Sequence, residues 1–383
     1  SGFMDIFTSL AGFGGNFLSY LLPFLIILTV VVFVHEMGHF LVARWCGVGV
    51  KAFSIGFGPE IFGFNDRHGT RWRVAWIPLG GYVKFIDDEN AASAGQMDVE
   101  SLPEADRAKT FQGKTLAQRA AIVAAGPIAN FIFAILIFTA VFSIFGERIT
   151  APKVDAVTEG SAAELAGFKP GDVITSIDGT KIGNFSEMQR IVATSPDREL
   201  QFVVDRAGKP VDLRASPERK EITDRFGNTF KIGLLGIKRS ASPDDWTLER
   251  HDPATAFVMG VKECYFVVSR SLGYLYDVIK GREDADQLGG PLRIAQVSGQ
   301  VATAGFLALL NLAAIISVSI GLINLFPIPM LDGGHLLFYG IEAVRGKPLS
   351  ESTQEIGFRI GLAFVLMLMI FATWNDLIHL KFL

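Results

Sequence analysis

Four hydrophobic stretches constrain the fold of this chain more than any other feature of its sequence. They cover roughly residues 20–44, 118–145, 305–330 and 357–379. Each is long enough to cross a bilayer as a helix, which takes about 20 residues. A polar segment of domain size separates the second stretch from the third. The sequence therefore predicts an α-helical polytopic membrane protein with four spans and an inserted soluble domain.

Composition excludes several other classes of protein. Half of the 383 residues are apolar and the net charge is only −4, which favours neither a nucleic-acid binder nor an acidic tail. Cys46 and Cys264 lie far apart in unrelated contexts, so no disulfide framework is predicted. We expect Met4 to be the natural start, after residues 1–3, and the first apolar run to be a retained span rather than a cleaved signal peptide.

The distribution of basic residues predicts the orientation of the spans. No Lys or Arg precedes Arg44, whereas residues 44–119 contain ten. Because Lys and Arg concentrate in short cytoplasmic loops, this loop is predicted to be cytoplasmic and the N-terminus to lie outside. Alternation of the spans then places the inserted domain and the C-terminus outside as well.

The loop after the first span has the pattern of β-structure. Residues 48–64 and 70–85 alternate apolar and polar side chains between Gly, Pro and Asn-Asp punctuation, which predicts β-hairpins. Their apolar faces indicate a sheet that lies against the cytoplasmic leaflet or dips into it. Such a sheet needs protein or a water-filled cavity to satisfy its backbone. Residues 87–110 are acidic and turn-rich and are expected to form an exposed loop.

The inserted segment, residues 150–240, combines short strands, a helix at "SAAELAG", a second helix at 184–194 and paired strands around "DRAGKP". This order resembles a PDZ domain of the bacterial protease type, most specifically in "AGFKPGDVITSIDGTKI". The resemblance implies binding of an extended peptide or substrate tail beside a strand. The alternative is a small β-rich domain without a ligand.

Residues 245–300 are predicted to form an amphipathic interfacial segment. An aromatic-rich helical pattern covers 252–282, but Lys262, Glu263 and Arg270 interrupt it. These charges favour a helix that lies along the interface or packs on the bundle over a fifth span. The N-terminal membrane part is accordingly 4–145 and the C-terminal membrane part 301–383.

The first span carries ionisable side chains where lipid should lie. His35, Glu36 and His39 match the pattern H-E-x-x-H, in which i and i+4 place both imidazoles on one helix face, able to chelate one Zn²⁺. Glu36 is placed to act as general base on water. With Arg44 as the interface anchor, His39 lies roughly 7 Å and His35 roughly 13 Å inside the membrane. Ionisable groups at such depth mark function by default.

A zinc hydrolase needs a third protein ligand, and Asp332 is the strongest candidate. No charged residue separates Arg293 from Asp332. Asp332 is therefore expected at the cytoplasmic end of the third span, on the same side of the membrane as the two histidines of the first span. An alternative is that Asp332 only caps a helix at an Asp-Gly-Gly turn. His335 is a competing ligand, three residues further along.

Polar and proline residues flank these positions. Pro327 and Pro329 deny a continuous helix, and the freed backbone groups could line the site. Asn324 could bind a substrate backbone or an oxyanion, or simply pack between helices. Asn130, in "AAGPIANF" of the second stretch, is either a helix-packing residue or support for a neighbouring polar site.

These motifs together resemble the site-2 protease family, in its bacterial RseP-type branch of zinc intramembrane proteases. The resemblance covers essentially the whole chain. It implies Zn²⁺ held by His35, His39 and Asp332, with Glu36 as general base. It also implies substrate handling by Asn324. Residues 56–64, which include Gly56, Phe57 and Gly58, are similar to the family's membrane-dipping β-loop, which aligns an unwound substrate as an added strand. Pro327 and Pro329 are predicted to contact substrate through the backbone groups that they free.

The resemblance also implies partners and a location. The expected substrates are single-pass membrane proteins, such as anti-sigma factors in an envelope stress response, and remnant signal peptides. The expected location is the bacterial inner membrane, with the termini and the PDZ domain in the periplasm and the active site near the cytoplasmic side. RseP-type proteins often carry two PDZ domains, and this chain has room for one. The rival hypotheses are a catalytically silent scaffold with a structural metal and a zinc transporter.

Overall fold

The structure, a computed structural model, describes residues 2–88, 98–224 and 228–379, without the side chains of residues 2–17. Along these residues the helices are α1 Gly2–Trp45, α2 Glu104–Arg107, α3 Leu116–Ala140, α4 Ala162–Ala166, α5 Phe185–Ala193, α6 Pro253–Ile279, α7 Pro291–Ala302, α8 Phe306–Asn324, α9 Asp332–Arg345 and α10 Glu351–His379. The strands are β1 Val50–Asn65, β2 Arg71–Phe85, β3 Glu147–Ile149, β4 Ala156–Val157, β5 Val173–Ile177, β6 Thr180–Lys181, β7 Leu200–Arg206, β8 Lys209–Ala215, β9 Glu218–Thr223, β10 Thr229–Leu234, β11 Ile237–Lys238 and β12 Thr247–Glu249. Part of the exposed loop predicted at 87–110 lies outside the described residues.

Four helical stretches of the described chain are long and apolar enough to cross a membrane, which confirms the predicted fold class. They are Leu18–Trp45, Leu116–Phe145, Phe306–Asn324 and Glu351–His379. The second ends in a π-helical turn after α3. Helix α6 is 27 residues long but is not one of the four.

The third span ends earlier than the predicted boundary near residue 330. Helix α8 stops at Asn324, and α9 begins only at Asp332. Pro327 and Pro329 lack the N–H that a continuing helix would need, and their rings crowd the preceding turn. The residues between the two helices therefore form a non-helical connection that leads directly into Asp332.

The chain divides into two compact units, one formed by Ser1–Thr139 with Phe257–Leu383 and one by Ala140–Ala256. In the first unit, β1 and β2 pair with each other, whereas each stretch had been predicted to fold as a hairpin. Both strands bend, so that residues 50–55 pair with 81–85 on one side and with 71–74 on the other. Residues 60–65 then pair with 71–75, and the segment 81–85 forms one outer edge of the sheet.

Aromatic packing joins this sheet to α1. Phe53 is 1% exposed, its ring stacks on Trp72 with 4.6 Å between centroids, and Phe40 of α1 meets it edge-on at 5.6 Å. Burial of each such side chain stabilises the contact by about 1.5–3 kcal/mol. Arg44 forms an ion pair with Asp66 of the loop between the strands. Arg44 is thus bound to protein, and its ion pair joins the end of α1 to the sheet.

The second unit has the order of elements predicted for a PDZ-like domain. Its four-stranded sheet has the order β6-β5-β7-β8, with α4 and α5 beside it, and its core is apolar. Helix α4 is capped by Ser161, whose side chain accepts a hydrogen bond from the Glu164 backbone, and it ends at Gly167 in the left-handed region. The unit extends beyond the predicted 150–240 because β3 and β12 pair outside those limits.

A buried ion pair fixes the middle of this unit. Arg206 donates to both oxygens of Asp172, at 2.8 and 2.9 Å, and also to the Gly167 carbonyl at 2.8 Å. The Asp172 side chain is 1% exposed. Burial acts to raise the pKa of the Asp172 carboxyl, but the hydrogen bonds from Arg206 outweigh it and hold that pKa below its ordinary value.

Candidate metal centre

Helix α1 presents two imidazoles on one face, one turn apart. The Nε2 atoms of His35 and His39 are 3.2 Å from each other, and the two rings meet edge-on. This geometry follows from the i, i+4 spacing of the pair on a helix. His35 is only 7% exposed, so its ring is held inside the protein.

The third donor comes from the start of α9. Asp332 is the first residue of that helix, and its Oδ2 lies 3.0 Å from His35 Nε2 and 3.4 Å from His39 Nε2. Within the described residues, His35, His39 and Asp332 form the group of side chains that could hold a metal ion. The competing candidate, His335, is not a member of this group.

The donor atoms fit a tetrahedral zinc site. Zinc ligands at about 2.0–2.1 Å from the metal in tetrahedral geometry lie about 3.3–3.4 Å from one another. The three donor atoms of this centre lie 3.0, 3.2 and 3.4 Å apart. Asp332 Oδ2 is also buried and has no hydrogen-bond partner within the described part of the chain. A buried carboxylate oxygen without a partner is costly, and a bound cation would satisfy it.

Helix α3 packs against the histidine pair. His39 Nδ1 donates to the Ile122 carbonyl at 2.8 Å, which leaves the Nε2 lone pair directed at the donor group. Gly126 lies one turn further along α3, and a Cβ at this position would fall 2.9 Å from His35 Nε2 and closer still to His39. Only glycine therefore lets α3 approach the two imidazoles this closely.

Asn130, the next polar residue of α3, supports His35. Its amide group lies 2.9 Å from His35 Nδ1, and it is completely buried. The nitrogen and oxygen of an amide exchange places by a half-turn, so the same contact can accept a proton from His35 Nδ1–H and direct Nε2 to the donor group. The Ser317 hydroxyl of α8 donates to the backbone carbonyl of Asn130 at 2.8 Å. Asn130 thus joins α3 to α8 and also contacts the polar site. Both interpretations of this residue, helix packing and support of a neighbouring site, therefore describe part of its contacts.

The connection before α9 is folded tightly against the start of that helix. A Cβ at Gly334 would lie 2.6 Å from the Pro329 Cα atom, so the chain can fold back only over a glycine. Met330 has a φ of 96°, a strained value for a residue with a side chain. Strained backbone of this kind is frequent at functional sites, and this residue lies two positions before Asp332.

Glu36 lies beside the edge of the sheet. It is partly exposed, and its Cγ is 3.7 Å from the position of a Cβ at Gly81. Gly81 belongs to the outer edge segment 81–85 of the sheet. The candidate base, Glu36, therefore lies next to the strand edge and directly follows His35 in the sequence.

The residues predicted to handle substrate fall into two places. Gly56, Phe57 and Gly58 form the bend of β1, where both glycines have positive φ and Phe57 stacks on Tyr82 of the edge segment at 6.0 Å. The other three lie at the end of α8 and in the connection to α9, and they are Asn324, Pro327 and Pro329. Asn324 Nδ2 donates to the Ile320 carbonyl of its own helix at 2.9 Å.

Sequence reasoning missed the contributions of Ile122 and Gly126. The backbone carbonyl of Ile122 carries no side-chain signal that a motif could show. Gly126 stands in the "AAGPIANF" segment, where small residues were read only as helix packing. Asn130 and Pro127, which interrupts helix hydrogen bonding at this turn, were the local signs that this part of α3 has a special role.

Comparison with known proteins agrees with this geometry. Residues 23–368 match the family model of Peptidase family M50. A protein of Agrobacterium fabrum named as a zinc metalloprotease is 50% identical, over 95% of this chain and 97% of its own length. The metalloprotease MmpA of Caulobacter vibrioides is 40% identical, over 94% of this chain and 96% of its own. The regulator of sigma-E protease RseP of Escherichia coli is 31% identical, over 94% of this chain and 99% of its own.

The family match includes both halves of the donor group, since it begins before His35 and ends after Asp332. It also includes the second and third candidate spans entirely, the first span from residue 23 and the fourth up to residue 368. The chain therefore belongs to peptidase family M50, the site-2 protease family, and is a zinc-dependent metalloprotease of the membrane.

Proposed function

We propose that this chain is an intramembrane endopeptidase that holds Zn²⁺ with His35, His39 and Asp332 and cleaves single-pass membrane proteins. The observation that supports this most directly is the convergence of three donor atoms from α1 and α9 at distances of 3.0 to 3.4 Å. These helices are separated by most of the chain, and the first of them includes a candidate membrane span. A structural role alone would not require a carboxylate base beside the donors.

Glu36 is the proposed general base. Zinc, when bound, supplies Lewis-acid activation of water and of the scissile carbonyl. Glu36 takes a proton from the attacking water and delivers it to the leaving amine, the work of a base held near the reacting atoms. Ile122 and Asn130 hold the two imidazoles by their Nδ1 atoms, so that the rings do not rotate during the reaction.

Substrate is proposed to bind as an added strand at the segment 81–85. This segment pairs with residues 50–55 on its inner side and lies next to Glu36. A substrate helix must unwind first, because its carbonyls are tied up in backbone hydrogen bonds. We therefore expect Gly or Pro near the cut to favour cleavage. Gly56, Phe57 and Gly58 border this edge and would contact the unwound strand.

The connection between α8 and α9 is proposed to form the opposite wall. Pro327 and Pro329 leave backbone groups of this connection outside any helix, available to an extended peptide. Asn324 would bind the substrate backbone or the developing oxyanion. In that role its amide has to leave the Ile320 carbonyl, to which it now donates.

The biological substrates are proposed by analogy with the relatives. The E. coli relative is named as a regulator of sigma-E, which favours anti-sigma factors of an envelope stress response, and remnant signal peptides, as the substrate class. The PDZ-like unit would bind a peptide or a substrate tail. We place the protein in the bacterial inner membrane, with both termini and the PDZ-like unit in the periplasm and the metal centre near the cytoplasmic side.

The decisive test is co-expression of the chain with a library of tagged single-pass membrane proteins, with wild type compared against Glu36→Gln. We expect cleaved fragments with wild type and none with the variant. A variant that retained full cleavage would refute the mechanism. An anomalous-scattering peak for zinc should lie between His35, His39 and Asp332. Zinc flux into proteoliposomes without proteolysis would favour a transporter instead.

A further inference from the structure

Helix α3 contacts both halves of the metal centre. Ile122, Gly126 and Asn130 shape the histidine pair of α1, as described above. One turn before Ile122, at the start of the same helix, Arg119 reaches α9, the helix that begins with Asp332. A single rigid element thus touches the two parts that must meet at the metal.

The contact between Arg119 and α9 is bidentate and largely shielded from solvent. Arg119 Nη2 donates to Glu342 Oε1 at 2.9 Å, and Nη1 donates to Oε2 at 3.3 Å. The two side chains are only 12% and 15% exposed. The guanidinium also lies 5.2 Å from the centre of the Tyr339 ring, one turn earlier on α9, and Arg119 Nε donates to the Lys114 carbonyl at 3.3 Å. A planar fork held at this many points fixes direction as well as distance.

Because this contact lies at the opposite end of α9, it affects the position of Asp332. Glu342 follows Asp332 by ten residues, so the two lie about 15 Å apart along one helix, and a tilt of about 5° at one end would move the other by about 1 Å. On the other side of Asp332 stands the non-helical connection from α8. Leu336 and Tyr339, which lie between Asp332 and Glu342 on α9, pack against the core formed with the sheet, α1 and α3.

We infer that Arg119 and Glu342, with Tyr339, form a positioning clamp that holds α9 so that the Asp332 carboxylate reaches the two histidines. The clamp touches neither zinc nor substrate and acts through Asp332. The inference rests on the proposed ligand set. It predicts that loss of the clamp weakens zinc binding in a protein that still folds.

The test measures the zinc dissociation constant of the purified full chain in detergent, by competition with a chromogenic chelator. Glu342→Gln and Arg119→Gln should each weaken zinc binding about tenfold, at the lower end of the range for residues that orient a metal ligand. Arg119→Lys keeps the charge without the fork and should fall between wild type and Arg119→Gln. The double variant Arg119→Glu with Glu342→Arg exchanges the two residues. It should bind zinc more tightly than Arg119→Glu alone or Glu342→Arg alone.

A matched control removes an ion pair that cannot act on the centre. Arg359 and Glu355 pair on the surface of α10, with side chains 75% and 63% exposed, and Arg359→Gln should leave zinc affinity unchanged. The thermal unfolding midpoint of each zinc-free variant is recorded beside its zinc affinity. A purely structural role would lower that midpoint and leave zinc affinity unchanged, and this result would overturn the inference.

Asp332→Asn separates failure of the clamp from failure of the ligand set. If Asp332→Asn loses zinc while the Arg119 and Glu342 variants bind it normally, the clamp is refuted and the ligand set stands. If Asp332→Asn itself retains zinc, the proposed ligand set is wrong, and the clamp has nothing to position. An exchange variant no better than the single variants would also overturn the pairing.

Discussion

Gly126→Ala should weaken zinc binding far more than it destabilises the fold. Gly126 lies in α3 beside the donor nitrogens of the histidine pair, and a Cβ there would lie 2.9 Å from His35 Nε2 and closer still to His39 Nε2. Ordinary contacts between carbon and other heavy atoms are about 3.5–4.0 Å. Both imidazoles therefore have to move by roughly 0.5–1 Å, or α3 has to move away from α1 and take the supporting carbonyl of Ile122 with it.

The expected loss follows from that displacement. A misplacement of about 1 Å at a reacting group costs about 100-fold in rate, and an equal loss in zinc affinity corresponds to about 2.8 kcal/mol. The change in helix propensity has the opposite sign, because Ala in a helix is more stable than Gly by about 0.5–1 kcal/mol. Zinc affinity and stability of the zinc-free protein should thus separate, which general misfolding would not produce.

The assay compares zinc affinity, substrate cleavage and the unfolding midpoint of the zinc-free protein, all in the same detergent. Gly273→Ala is the matched control, since Gly273 also lies within a helix and a Cβ there would meet nothing within 4 Å. The control should keep full zinc affinity and activity. Wild-type zinc affinity in Gly126→Ala would show that α3 does not press on the histidines as described, and would refute the steric argument.

Three further predictions test other parts of the structure. Asn130→Ala should weaken zinc binding about 10–100-fold, because His35 loses the partner of its Nδ1, and chelator competition measures this. Arg206→Gln should lower the free energy of unfolding by about 3–5 kcal/mol at neutral pH. Because the pKa of Asp172 is lowered in the folded state, this pair contributes its full stability above the ordinary carboxyl pKa of about 3.9, and that contribution is lost progressively as the pH falls from there through the lowered pKa of the folded state. The loss caused by Arg206→Gln should therefore shrink toward pH 3 in thermal unfolding, and an equal loss at both pH values would contradict the assignment. Trp76, 65% exposed in the bend of the sheet, should be quenched by brominated lipids, so that Trp76→Phe removes more of the quenching than Trp246→Phe does.

The spans could be predicted from sequence because each carries its own signal. An apolar run of about 20 residues has no alternative as stable as a helix in lipid. The PDZ-like order was also readable, since its helices and turns depend on local cues such as Ser161 before α4 and Gly167 after it. Local signals of this kind can be read from the sequence without knowledge of the tertiary contacts.

Strand pairing was less accessible to sequence reasoning. Residues 48–64 and 70–85 were recognised as β-structure, but the structure pairs them with each other through bends in both strands. Register depends on which faces pack against α1, and the alternation of side chains alone does not contain that information. Arg44 is a second example, because its pairing with Asp66 depends on where the sheet docks.

The sequence by itself determined how the imidazoles of His35 and His39 and the carboxylate of Glu36 are arranged, because their mutual geometry follows from helical spacing alone. It left Asp332 and His335 as rival third donors. Tertiary structure placed Asp332 with the histidines, because α8 ends at Asn324 and the connection to α9 delivers the first residue of the new helix to that point. The supports of the site were likewise decided by packing, since contacts across three helices exist only once α3 lies against α1 and α9.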